Sequence, residues 1–350
     1  MSETASIADM ADKISKDIFR WFKWERLDLM DQNFSCRKPD KHAPKKENHT
    51  HPVDVLFHYV DPYINKRILL NTDLKSYAKK SITTDQVRKS LQSLAKTIEC
   101  ARISSEWRER YVINEGHYEI RGLLFIYNHD GEYHKDFYNV FKKDPDDKNK
   151  KPVRIESINV AKGQQLHIIE PQTIHYLTTI ISDMHKLHQE RTFPEQNYYF
   201  HYPDLHLHKA NGNRADRPAT IEMLCSPYII VEHDEVKKFN ETTGSIEECY
   251  PKGFVIYYNK PGNNVNEFIY LFDTLSKCQI LDGDVSIRVR VANSNYNRDI
   301  HSVFKKAITS YSQGWGFDTY KQERLEKIKL EVIETSKSVF SPVEIGWRNI

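Results

Sequence analysis

Residues 53–128 order themselves as strand, strand, helix, strand with little between them, and this order most narrows the architectures open to the chain. "VDVLFHYV" (53–60) and "RILLNTDLKSY" (67–77) carry the β-branched and aromatic residues of strands, joined by a turn with Asp61-Pro62 and Asn65. In residues 84–103, Val87, Leu91, Leu94, Ile98 and Ala101 recur at helical spacing, and Thr83 with Gln86 offers a capping box. "IRGLLFIYN" (120–128) is a further strand that stops at the turn signal His129-Asp130-Gly131. Ahead of all these, residues 4–24 read as an amphipathic helix, with Ile7, Met10, Ile14, Ile18 and Phe22 on one side and Trp21 and Trp24 widening it. The expected fold class is α/β: a mixed β-sheet flanked by helices.

The charge-dense run "KKDPDDKNKKP" (142–152) is the boundary candidate, giving a core over 1–141 and a C-terminal α/β region over 152–350. Strands are expected at "LHIIEP", "YYFHYPDLHLH", "ATIEMLCSPYIIVEH", "GFVIYYN" and "VSIRVRVA", and helices near 172–190, 264–277, 297–311 and 319–337. No internal repeat is detectable. The net charge of +2 is too small for a global basic field, so any nucleic-acid argument must rest on local charge. Five cysteines without a CxxC pair point to reduced, mostly buried thiols in a cytosolic protein. With no signal peptide and no apolar run near the roughly 20 residues a bilayer span needs, the expectation is a soluble cytoplasmic protein without membrane contact.

One stretch breaks the pattern of buried strands. "LLNTDLKSYAKK" (69–80) begins apolar and then presents Asp73 and Lys75, which point to the same face because they are two apart on a strand. The same triplet at Asp146-Asp147-Lys148 and Glu235-Val236-Lys237 shows that the bare pattern is common. Only the first lies at the end of an apolar strand, directly ahead of a long helix and after a strand opening with its own acid, Asp54. A carboxylate among such apolar neighbours should be paired, protonated or holding a metal. Paired neighbouring strands would bring Asp54 and Asp73 to one divalent ion, with Lys75 placed to polarise water or neutralise charge on a phosphate.

This arrangement resembles the core of the PD-(D/E)XK, or restriction-endonuclease-like, nucleases. "HPVD" is similar to the first half of that motif and "TDLK" to the second, with Asp73 where Glu is the commoner choice. The resemblance covers about residues 5–130. It implies a Mg²⁺-dependent (or Mn²⁺-dependent) endonuclease acting on DNA, with Asp54 and Asp73 as metal ligands and Lys75 in catalysis. It also implies a prokaryotic antiphage effector held or aimed by a protein partner or by its own oligomerisation, with residues 152–350 serving assembly or substrate selection. Glu25, from the first helix, and Gln92, from the second, are further candidates, each also explained as a solvated helix residue.

Two other readings stay open: an RNA-directed nuclease, which the same chemistry serves, and a non-catalytic nucleic-acid-binding or scaffolding subunit on the same fold. Lys79, Lys80, Arg37, Lys38, Lys41, Lys45 and Lys46 are candidate phosphate contacts. His206 and His208 share a strand face without a third ligand and are read as ordinary histidines. Aromatic runs such as "YYFHY" and "VIYYN" suit an interface and a core equally.

Overall fold

A computed structural model describes residues 3–42, 49–113, 116–143, 151–202, 217–240, 244–281, 283, 285–314 and 319–333. Two compact units form. The first takes in the chain through His175 except 62–64, and the second takes in those three residues and the described residues from Tyr176 to 333.

In the first unit the elements run α1 (Glu3–Trp21), β1 (Glu25–Arg26), β2 (Gln32–Ser35), α2 (Pro39–His42), β3 (Thr50–Val53), β4 (Val55–Asp61), β5 (Lys66–Tyr77), α3 (Thr84–Ala101), α4 (Ser105–Arg110), β6 (Tyr118–Asn128), β7 (Leu166–Ile169) and the start of α5 (Pro171–Gln189). The β4–β5 hairpin turns through Asn65, whose φ of 50° is a conformation asparagine tolerates. Its amide donates to Asp61 O at 2.9 Å. The pairing runs from Asp61↔Lys66 to Val55↔Thr72, so the two strands expected to be neighbours are. Sheet order is β1-β4-β5-β6-β7, antiparallel from β1 to β5 and parallel from β5 to β7. β7 lies past the 142–152 run and still joins this sheet.

Alternation along the strands feeds a core on each face. On one face Phe19 of α1 stacks on Trp24 at 4.4 Å and meets Phe57 and Phe125 edge-on. On the other, Val87, Leu91, Leu94 and Ile98 of α3 pack on Leu56, Leu69, Ile120 and Leu124. α3 begins where its capping chemistry places it, with the Gln86 amide donating to Thr83 Oγ1 at 3.3 Å. It approaches closely at Gly122, where an added Cβ would lie 3.0 Å from Leu94 Cγ and 2.5 Å from Leu166 Cδ2.

The second unit contains most of α5, then β8 (Tyr198–Phe200), α6 (Ile221–Leu224), β9 (Tyr228–His233), β10 (Val236–Asn240), β11 (Ser245–Tyr250), β12 (Gly253–Tyr258), α7 (Val265–Lys277), β13 (Ser286–Val291), α8 (Ile300–Gly314), α9 (Thr319–Glu326) and β14 (Lys329–Val332). The helix expected over 319–337 ends early, because Lys329–Val332 pairs in parallel with Arg288–Val291. Sheet order is β14-β13-β12-β9-β8, with β8 to β12 antiparallel and β12 to β14 parallel. This repeats the first unit. α5-β8-β9-β12-α7-β13 has the same order and strand directions as α1-β1-β4-β5-α3-β6, a duplication of topology that no residue pattern betrays. The aromatic runs go mainly to this unit's interior: Tyr199, Phe200, Tyr257, Tyr258, Phe268 and Phe272 are buried. Cys225 and Cys249 are exposed, against the expectation of mostly buried thiols.

Candidate active site

Asp54 occupies a break in the chain. Up to Val53 the backbone pairs with β2, and from Val55 it pairs with β5. Changing partners there resets the alternation. Val53 and Leu56 both face α3, so the single strand expected over 53–60, with Val53 and Val55 on one face, is two strands. The Asp54 carbonyl accepts the Asp31 amide at 2.9 Å, and its Oδ2 accepts the Leu74 amide at 2.7 Å. The break therefore delivers a carboxylate to β5 where its pairing with β4 stops, one step beyond the Val55↔Thr72 pair.

Asp73 and Lys75 follow Leu69 and Asn71 on the α3-facing side of β5. Lys75 Nζ donates to Asp73 Oδ1. Burial pushes the Asp73 carboxyl up, Lys75 pulls it down, and the neighbouring Asp54 carboxylate pushes it up again, leaving it at about 6. Burial works against the Lys75 ammonium, but Asp73 and then Asp54 outweigh it and hold the lysine above its ordinary pKa. Lys75 is thus a fixed positive charge, unsuited to taking a proton at neutral pH. The arrangement brings two acids and a lysine together on the central strand β5, where β4 stops pairing with it. Hard oxygen donors, one resisting ionisation beside the other, are a donor set that a divalent cation satisfies.

The remaining candidates fall elsewhere. Glu25 is exposed and lies 3.4 Å from His58 Nε2, at β4 residues paired away from the Asp54 end. Gln92 is occupied as a donor to Ser157 O at 2.9 Å. Lys38 and Lys41 are bound to Glu99 at 2.7 and 3.0 Å, while Lys79 and Lys80 are exposed beyond β5. Lys45, Lys46, Lys148, His206 and His208 lie outside the described residues.

Two residues near the acids escaped the sequence reading. Tyr111 is buried and its hydroxyl has no hydrogen-bond partner among the described residues. Burial, with the Asp31 and Asp54 charges, holds its pKa up at about 12 against the nearby Arg110. Asn71, buried one step inward from Asp73 on the same strand face, leaves Oδ1 without a partner among the described residues. Asn71 was visible as a polar interruption of the strand, whereas nothing local marks Tyr111.

At the matching end of the second sheet, the Asn259 amide donates to Pro227 O at 2.7 Å, just beyond the Tyr258↔Tyr228 pair. By strand register, Pro227 and Asn259 stand where the first unit has Asp54 and Asp73. The acid pair is not repeated there.

A mixed sheet between helices is the fold of a PD-(D/E)XK nuclease domain, and Asp54, Asp73 and Lys75 meet on its central strand. Residues 1–173 match the family model described as the GAPS4 protein PD-(D/E)XK nuclease domain, and this part of the chain belongs to that superfamily. Over these residues the match supports a nuclease, a hydrolase. No curated protein matched the chain. No helix among the described residues is long and apolar enough to cross a membrane.

Proposed function

We propose that the chain is a Mg²⁺-dependent endonuclease that hydrolyses DNA phosphodiester bonds, acting with a protein partner in antiphage defence. The observation that carries this reading is the convergence of Asp54 and Asp73, with Lys75 tied to Asp73 and kept charged. Asp54 and Asp73 hold the cation, and the Leu74 amide on Asp54 Oδ2 fixes the orientation of that carboxylate. A bound Mg²⁺ or Mn²⁺ supplies Lewis-acid polarisation of the phosphate and a more acidic water. Lys75 places positive charge where negative charge accumulates on the scissile phosphate, and exposed Lys79 and Lys80 extend that charge beyond the strand.

The second unit supports a division of labour. It repeats the strand order but carries Pro227 and Asn259 in place of the acids, which suits assembly or substrate selection and not cleavage. The family match agrees with a defence role.

Purified protein incubated with plasmid DNA and with total RNA, under Mg²⁺, Mn²⁺ or EDTA, tests the reading. Metal-dependent cleavage of plasmid but not RNA is expected. Cleavage of RNA alone transfers the same site to the other substrate. Absence of both activities in the presence of its partner refutes catalysis. Light scattering after size exclusion, with and without products of neighbouring genes, tests for the partner.

A further inference from the structure

Away from the acids, on the α3 side of the first unit, four side chains from four places in the sequence meet at one point. Cys36 follows β2, His42 ends α2, His51 lies in β3 and Cys100 lies near the end of α3. Their ligand atoms all fall within 4.8 Å of one another, and His42, His51 and Cys100 are buried. From this cluster we infer a structural zinc site, Cys36-His42-His51-Cys100, that clamps the β2–β3 hairpin to α3.

The three distances made by His42 and the sulfur–sulfur distance are those of a tetrahedron, and His51 closes the group within 4.8 Å. Sulfur at about 2.3 Å and nitrogen at about 2.0–2.1 Å from one centre put S–S near 3.8 Å, S–N near 3.5 Å and N–N near 3.3 Å. Cys36 Sγ and Cys100 Sγ are 3.8 Å apart, too far for a disulfide. His42 Nδ1 is 3.5 Å from Cys36 Sγ, 3.4 Å from Cys100 Sγ and 3.3 Å from His51 Nε2.

Hydrogen bonding alone does not account for this packing. His42 Nε2 lies 3.0 Å from Glu99 Oε2, which accepts its proton. In the neutral ring that leaves Nδ1 a single lone pair facing three neighbours, and one lone pair cannot serve three donors. A cation at the centre takes all four ligands at once.

Backbone amides point at the two sulfurs and a carboxylate orients the imidazole. The Lys38 amide donates to Cys36 Sγ and the Arg37 amide to Cys100 Sγ, each at 3.4 Å. Glu99, itself held by Lys38 and Lys41, gives His42 the carboxylate partner that metal-bound histidines commonly have. Two sulfurs and two imidazoles with no open position favour Zn²⁺ over a hard cation, and favour a structural over a catalytic role. The consequence for the active site is positional. His51 lies on β3, which ends one residue before Asp54, and β2 pairs with that strand. Zinc at this point fixes the segment that presents Asp54.

The test is zinc content of the full chain purified without chelator, measured by inductively coupled plasma mass spectrometry. About one zinc per chain is expected, released when a mercurial blocks the thiols. Cys100→Ser and His51→Asn should fall to a small fraction of that, while Cys225→Ser and Cys249→Ser keep it. If the ligand variants are insoluble, wild type grown on Co²⁺ keeps the question answerable. It should show intense tetrahedral d–d bands with a thiolate-to-cobalt charge-transfer band, which oxygen ligands at the acidic site cannot produce. Asp73→Asn should retain the zinc, so loss of cleavage and loss of zinc are separable. Wild type that lacks stoichiometric zinc after growth in zinc-supplemented medium, or that yields a Cys36–Cys100 disulfide peptide, overturns the assignment.

Discussion

Replacing Asp73 with asparagine should abolish cleavage and, in the absence of divalent cations, make the protein more stable. Asparagine keeps the shape of the protonated acid and cannot ionise. The Asp73 pKa is raised from 3.8 to about 6 by burial and by Asp54, against the pull of Lys75. A raised carboxyl favours folding below its unfolded value, and that advantage is lost as pH rises through the folded value. The native state therefore binds more protons than the unfolded state between these limits, and wild type loses stability across them. Two pKa units amount to about 3 kcal/mol, so the variant's advantage should grow from well under 1 kcal/mol at pH 4 to about 2–3 kcal/mol at pH 8. Urea melts of both proteins in EDTA, with the difference taken at each pH, measure it, and effects common to both cancel. Adding Mg²⁺ at pH 8 should then stabilise wild type and not the variant. A stability difference that stays flat from pH 4 to pH 8 would show that Asp73 is not strained by its neighbours, and the argument for a paired metal site would lose its electrostatic basis.

Lys75→Ala should eliminate cleavage while Mg²⁺-induced stabilisation persists, since the lysine acts on phosphate or water; undiminished cleavage by clean preparations would reduce it to a surface ion-pair partner. As a control, Lys237→Ala breaks an exposed pair with Glu235 and should leave cleavage unchanged. At limiting Mg²⁺ the cleavage rate should rise with pH through about 6 as Asp73 ionises, and saturating Mg²⁺ should move the rise to lower pH, because a cation favours the carboxylate; an identical profile at both concentrations argues against Asp73 as a ligand. Gly122→Ala sets a Cβ against Leu166 and Leu94 and should cost about 1–3 kcal/mol in chemical denaturation. Asp183→Ala removes the buried partner of Arg290, whose Nε donates to Asp183 at 3.0 Å and which then keeps only the half-exposed Glu331, and should cost about 2–3 kcal/mol of the second unit's stability.

The sequence by itself determined the elements whose periodicity is strong and local. The α3 stripe and its Thr83 cap, the apolar runs of β4 to β6, and the acid-x-lysine triplet at a strand end are all short-range patterns. Pairing of β4 with β5 followed from their short connection, and it brought Asp54 and Asp73 within reach. Only tertiary structure decided the rest. The break at Asp54 arises because the chain exchanges β2 for β5 as partner, and β2 is too short and polar to announce itself. β14 reads as the tail of a helix in the sequence because four residues carry too little periodicity to outweigh their helical neighbours. The topological repeat leaves no residue pattern, since strand order and direction constrain burial and not identity. The Cys36-His42-His51-Cys100 cluster hid in what reads as a basic loop with a cysteine far along a helix. Metal ligands need proximity in space, and here the sheet and α3, not spacing along the chain, provide it.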